Sequence, residues 1–236
     1  MGLGRNWRVR AAYIAVAAAL ALSGAHRPAQ AAGGAFFVDN AGVDDPGTCK
    51  VEAWASAARS DDRVFAAAPA CAVSLGQPVE FGVQYDRLRF DGKWASAGAL
   101  NAKTSLIPFI DHVQFGAAVS GAVVLAFETN EIAAYVVNVP FSFRVAEPLQ
   151  LNFQVGGIWE RATGHEHFTW GGGIELALTR QLTFVGEMFS LASRHRGVQA
   201  GLRYALHEKI DFDLIYGHNL AGDKSDWLTL GVNVRF

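Results

Sequence analysis

The sequence predicts an all-β fold, a closed antiparallel transmembrane β-barrel of about twelve strands, and three observations predict it. Apolar and polar residues alternate with a period of two through most of the chain, the pattern of strands that separate two media. The connections between these runs come in two kinds that take turns. The last nine residues, "LTLGVNVRF" (Leu228 to Phe236), carry the alternation to an aromatic carboxyl terminus, where loosely held polar chain is the common case.

In chain order, the first element is an export signal. Arg5, Arg8 and Arg10 precede the apolar run Ala11 to Ala25, and Ala29, Gln30 and Ala31 offer small residues to a peptidase, so residues 1–31 read as a cleaved secretory signal. The run is short for a spanning helix of roughly 20 residues. The 20 Lys and Arg and 22 Asp and Glu of the whole chain become 16 and 22 once that segment and its four arginines are removed. An exported, mildly acidic chain has no electrostatic case for binding nucleic acid.

Residues 32–47 follow as a periplasmic amino-terminal segment containing "AFFVDNAGVDDPG". It is a candidate plug for the barrel mouth, with a flexible tail as the alternative. The adjacent Phe36 and Phe37 favour docking, because two exposed phenyl rings are costly in water.

The barrel itself is expected over 48–236. "VEFGVQY" opposes Val79, Phe81, Val83 and Tyr85 to Glu80, Gly82 and Gln84; "LQLNFQVG" and "VQAGLRYAL" repeat the pattern. Tight connections fall at 75–78, 108–112, 146–148, 179–181 and 207–209. More polar ones fall at 60–63, 91–94, 128–131, 161–167, 193–197 and 221–226. Eleven connections join twelve strands.

An even number of antiparallel strands, joined alternately by short turns and longer loops, is what an outer-membrane barrel of a bacterial cell requires. Backbone groups in lipid must be paired, so the sheet has to close and the last strand has to meet the first, near Thr48 to Ser60. A secreted β-sandwich also alternates. Against it stand the 51% hydrophobic content, the even strand lengths, and aromatics gathered near strand ends as interfacial girdles. These are Trp94, Phe127, Trp159, Phe168, Trp170 and Trp227 by the longer loops, and Phe109, Phe143, Tyr204, Phe212 and Phe236 by the turns.

Cys49 and Cys71 are the two cysteines. Export places them in an oxidising compartment, and their near-equal distances from the intervening turn allow a cross-strand disulfide.

The terminal strand ending in Phe236 resembles the signature by which the barrel-assembly machinery recognises its outer-membrane clients. The segment "VDNAGVDDPGTCKVEAW" (Val38 to Trp54) is similar to the opening of the phenol-degradation-pathway (MetA-pathway) transporter family. That resemblance implies a transporter embedded in outer-membrane lipid, while the short chain and the cysteine pair depart from the family.

Assigning faces by parity sends Lys50, Glu52, Glu80, Asp86, Lys103, Arg144, Glu175, Glu187, Arg203, Asp213 and Arg235 into the lumen. Twelve strands leave a narrow interior. Mixed charges there read either as a transverse field that orients a small solute or as a neutralising network that stiffens the wall. The functional expectation is a channel or transporter for a small solute, with an occluded structural barrel as the alternative. No cofactor is required.

Two further groupings carry weaker chemistry. His165 and His167 flank Glu166, yet two imidazoles are an incomplete metal set, and a solvated loop is the reading. Ser190, Ser193, His195, His218 and Asn219 gather near outer strand ends as in outer-membrane phospholipases, but no spacing ties them into a triad, and no enzyme is expected.

Overall fold

The computed structural model describes residues 35–110, 113–192, 195–221 and 225–236. The expected signal over 1–31 lies outside the described residues. Twelve strands follow one another: β1 (Cys49–Ala58), β2 (Arg63–Ser74), β3 (Pro78–Phe90), β4 (Lys93–Ile107), β5 (Phe115–Ala126) and β6 (Glu131–Ala146). The second half comprises β7 (Leu149–Glu160), β8 (Glu166–Ala177), β9 (Leu182–Ala192), β10 (His195–His207), β11 (Ile210–Asn219) and β12 (Asp226–Arg235). Each strand pairs with its sequence neighbours, and β1 pairs with β12 to close the barrel. No helix among the described residues is long and apolar enough to cross a membrane.

Closure explains the regular carboxyl-terminal strand. Lys50 lies opposite Arg235, Glu52 opposite Asn233 and Ala58 opposite Trp227 across the seam. The last residue completes it: Cys49 N–H donates to the Phe236 carbonyl at 3.0 Å and Phe236 N–H donates to the Cys49 carbonyl at 2.8 Å. A sheet sealed in this way has no unpaired edge.

Cys49 also stands directly opposite Cys71 on β2, and the two are joined by a disulfide spanning 22 residues of sequence. The bridge lies on the outward face with Phe81, which pairs with Cys71 and is 48% exposed.

The outward positions are apolar and the inward ones polar, as the alternation requires. Phe153 and Val155 on β7 are exposed, whereas Gln150, Asn152 and Gln154 between them are buried; Phe212, Leu214 and Tyr216 on β11 alternate with buried Asp211, Asp213 and Ile215 in the same way. Two prolines interrupt the ladders locally because they have no N–H to give. Beside Pro140 the pairing to β5 passes from Ala117–Phe141 to Ser120–Asn138, and beside Pro69 the pairing to β3 passes from Ala67–Tyr85 to Ala70–Gly82.

Loop lengths depart from expectation in three places, one being the connection expected at 193–197, since β10 already begins at His195. The connection at 91–92 is a two-residue turn with positive φ at Asp91 (50°) and Gly92 (76°), the Asp-Gly hairpin geometry that matches strand twist. On the opposite rim, the connection of 108–114 separates β4 and β5 and is longer than a tight turn. Strand lengths also vary, from 10 residues in β1 to 16 in β6.

Two of the expected girdle aromatics lie inside. Trp227 belongs to the parity of buried Thr229 and Asn233, and a Cβ on Gly217 would meet its indole at 2.0 Å. Phe109 folds over Gly116, where an added Cβ would meet it at 2.3 Å, beneath the Arg144 guanidinium 4.8 Å from its ring. Trp94, Trp159 and Phe168 face outward and are exposed.

Candidate functional site

The lumen is divided by its own chain. Residues 35–47 run through the interior before joining β1, and Phe36, Val38, Asn40 and Ala41 are buried there, at 6%, 1%, 3% and 0% exposure. The segment has no secondary structure, so its backbone groups need partners from the wall. Glu187 supplies two: its carboxylate accepts from Phe37 N–H at 3.0 Å and Val38 N–H at 3.3 Å. Gln154 makes a reciprocal pair, accepting from Asp39 N–H at 2.8 Å and donating to the Phe37 carbonyl at 2.7 Å. Ser142 Oγ accepts from Ala41 N–H at 2.8 Å and donates to Asn152 at 2.7 Å.

Side chains add further anchors. Phe36 packs with Val185 and Ile215, and the Arg203 guanidinium lies 4.9 Å above its ring. Phe37 stacks on Phe189 with centroids 4.1 Å apart, edge-on to Trp227 at 6.5 Å. Val38 fits against Gly171, where an added Cβ would approach it to 2.7 Å. Lys103 Nζ donates to Asp39 at 2.8 Å. Lys50 Nζ pairs with Asp44 at 3.1 Å as the segment turns toward β1. Burial pushes the Asp44 carboxyl up, but the Lys50 ammonium, with help from Glu80 and Arg235, outweighs it and holds Asp44 below the ordinary aspartate value.

The eleven side chains assigned to the lumen fall into distinct settings. Arg203 forms a two-pronged pair with Asp213, at 2.8 and 3.2 Å, with both side chains 4% exposed. Near it, Glu175 accepts from Asn152 at 2.5 Å, and Glu187 is engaged by the segment and by Gln199 at 2.7 Å. On the other side, Lys50 bridges Glu80 at 3.0 Å and Glu52 at 3.9 Å, and Arg235 reaches Asp211 at 2.7 Å. Asp86 accepts two 2.9 Å bonds from Gln84. Arg144 donates to the Ile110 and Val113 carbonyls at 3.2 Å each, at the rim.

A cavity of about 290 Å³ remains between the segment and the opposite wall. That wall carries small inward side chains, Ala68, Ala70, Ala99 and Ala122, while the charged rim is Asp39, Asp44, Lys50, Glu52, Glu80, Lys103 and Arg235. Glu52 and Asn233 line it, but Glu52 Oε1 and both amide atoms of Asn233 are themselves buried, without a hydrogen-bond partner among the described residues. The sequence reading names only ionisable groups and so omits Gln154, Ser142, Asn152 and Asn233; it also passes over the ionisable Asp211. Their inward parity beside the assigned lumen charges, Asp211 two residues before Asp213, is the signal that identifies them.

The phospholipase-like grouping falls partly outside the described residues, which exclude Ser193 and the His195 side chain. Within them, His218 Nδ1 pairs with Asp226 at 2.7 Å and Asn219 donates to Ser225 at 3.1 Å.

Comparison with solved structures gives barrels of the outer membrane. The chain is similar to the KdgM porin in complex with disordered oligogalacturonate, with a TM-score of 0.62 at 11% identity over 79% of this chain and 99% of that one. It is similar to the NanC porin at 0.60, 9%, 78% and 98% respectively, and to the COG4313 outer membrane channel from Pseudomonas putida F1 at 0.56, 10%, 82% and 100%. These likenesses establish the fold. No curated protein matches the chain. The family described as Uncharacterised conserved protein UCP029691 matches residues 18–236.

Proposed function

We propose that this chain, which belongs to the family described as Uncharacterised conserved protein UCP029691, is a bacterial outer-membrane channel that passes a small polar solute beside a lumen-docked amino-terminal plug. The observation that carries the reading is the cavity between the segment and the alanine-lined wall of β2 to β5. Three bases and four acids border it, so its field is mixed in sign and suits a small neutral or zwitterionic polar molecule better than a multiply charged one. The porin-like fold supports the reading. The likeness of Val38 to Trp54 to phenol-degradation-pathway transporters agrees with transport but falls mostly on the lumen segment, so the solute class is argued from the cavity.

Export by a cleaved signal, assembly through the carboxyl-terminal strand and embedding in outer-membrane lipid complete the proposal. Purified protein in planar bilayers should give discrete, small conductance steps, and liposomes carrying it should take up a small zwitterion faster than empty vesicles. Absence of steps together with flux equal to empty vesicles would overturn it. The second reading, an occluded structural barrel, is favoured by the number of anchors holding the segment, and it predicts that negative outcome.

A further inference from the structure

The hairpin joining β7 and β8 brings together three metal-ligating side chains that the sequence separates. Glu160 is the last residue of β7, and its N–H donates to the His165 carbonyl at 2.9 Å, which sets the two across the base of the loop from one another. His167 follows two residues later on β8. The ligand atoms of Glu160, His165 and His167 all lie within 4.8 Å of one another. Glu166, the acid between the histidines, pairs instead with Trp159 across the ladder and takes the opposite parity.

The geometry points to a binding site for a borderline divalent transition-metal ion of the Zn²⁺ class, held by two imidazoles and one carboxylate at the outer mouth of the barrel. Two nitrogens and one oxygen are a donor set that suits Zn²⁺, Cu²⁺ or Ni²⁺ and disfavours Ca²⁺ and Mg²⁺, which take oxygen. His167 Nε2 already stands 3.1 Å from Glu160 Oε1, close to the separation of two ligands on one ion whose bonds are roughly 2.0–2.2 Å long. His165 is exposed and its ring centroid is 6.1 Å from that of His167, so a side-chain rotation brings it to the third position. A water would complete the four-coordinate sphere.

The surroundings fix this arrangement. The Thr163 hydroxyl donates to Glu160 Oε2 at 2.7 Å and accepts from His165 N–H at 3.1 Å, orienting the carboxylate so that Oε1 faces the imidazoles, as outer partners of metal ligands do. Gly164, at φ +67°, lets the loop turn tightly enough to oppose residues 160 and 165. The inward parity of Glu160 and His167 places the ion at the lumen entrance, yet the site stands independently of whether the lumen conducts.

The test is calorimetric titration of the full chain in detergent with Zn²⁺ alone. One saturable site per chain at micromolar concentration is expected, weakened at least about 100-fold when His165→Ala and His167→Ala are combined and about tenfold by Glu160→Gln, with Ca²⁺ giving no saturable heat. The unfolding midpoint without metal should be unchanged in these hairpin variants, so that a loss of Zn²⁺ heat reports the ligands and not the fold. Absence of saturable Zn²⁺ heat in the native chain would overturn the inference. Equal affinity in the double variant would also overturn it, by assigning the ion to other histidines such as His207 or His218. Should the double variant misfold, retention of full affinity by Glu160→Gln overturns it as well.

Discussion

Truncating Phe36 to alanine should release the amino-terminal segment from the lumen. The ring is 6% exposed, packed on Val185 and Ile215 and covered by Arg203 at 4.9 Å. Removing a buried phenyl group costs about 3–5 kcal/mol. The low end applies here, because water can enter the vacated space next to the cavity. About 3 kcal/mol corresponds to roughly a hundredfold change in the docking equilibrium, at about 1.4 kcal/mol per decade. The hydrogen bonds to Glu187, Gln154 and Ser142 remain, at about 0.5–1.5 kcal/mol each, so docking weakens without vanishing. The assay is amide hydrogen exchange on the detergent-solubilised barrel, read at Phe37, Val38, Asp39 and Ala41, whose N–H groups are held by wall side chains. Exchange at these four amides should rise together by roughly a hundredfold, while β7 to β9 stay protected. Unchanged exchange, or a rise confined to residue 37, would refute the idea that the aromatic anchor holds the segment as a unit.

Arg203→Ala should lower barrel stability by about 3–5 kcal/mol, because it leaves the Asp213 carboxylate buried without its cation. A denaturant midpoint shifted by less than a third of that would show that the pair is not desolvated as the 4% exposures indicate. Acid should loosen the segment through Asp44: its carboxyl lies below the ordinary value when paired with Lys50, so its contribution is complete above about pH 4 and is lost as pH falls through the lowered value. Amide exchange of the segment followed against pH should therefore accelerate only in that acid range, and acceleration beginning near neutrality would contradict the assignment. Reducing the Cys49–Cys71 bridge frees a 22-residue loop and should cost about 3 kcal/mol on the chain-entropy estimate, read as a lower unfolding midpoint in the reduced protein; equal midpoints would make the bridge energetically silent.

How far the structure was legible follows from where each constraint is written. Strand number, connection order and the closing role of Leu228 to Phe236 are written in parity, because every residue in a barrel wall changes medium relative to its neighbour. The disulfide was legible for the same reason, since Cys49 and Cys71 sit at matching distances from one turn. Trp227 was legible too and misread: its parity with Thr229 places it inside, but proximity to a strand end suggested a girdle. Phe109 lies in a connection, where parity has no meaning. The lumen segment was half legible. Phe36 and Phe37 demanded burial, but the anchoring at Glu187, Gln154 and Ser142 depends on backbone N–H groups, which every residue but proline carries and no sequence distinguishes. The third metal ligand, Glu160, was hidden because hairpin pairing, not chain proximity, brings it to His165 and His167.

The account is tested most directly by thiol accessibility at two adjacent positions of β4 in planar bilayers. Ala99 borders the cavity, and Leu100 is an outward residue, 56% exposed. A charged, membrane-impermeant thiol reagent should reduce the current of the Ala99→Cys channel within seconds and leave the Leu100→Cys channel unaffected. Equal insensitivity of both variants, with a steady current, would place the conducting path away from the alanine-lined wall and contradict the account.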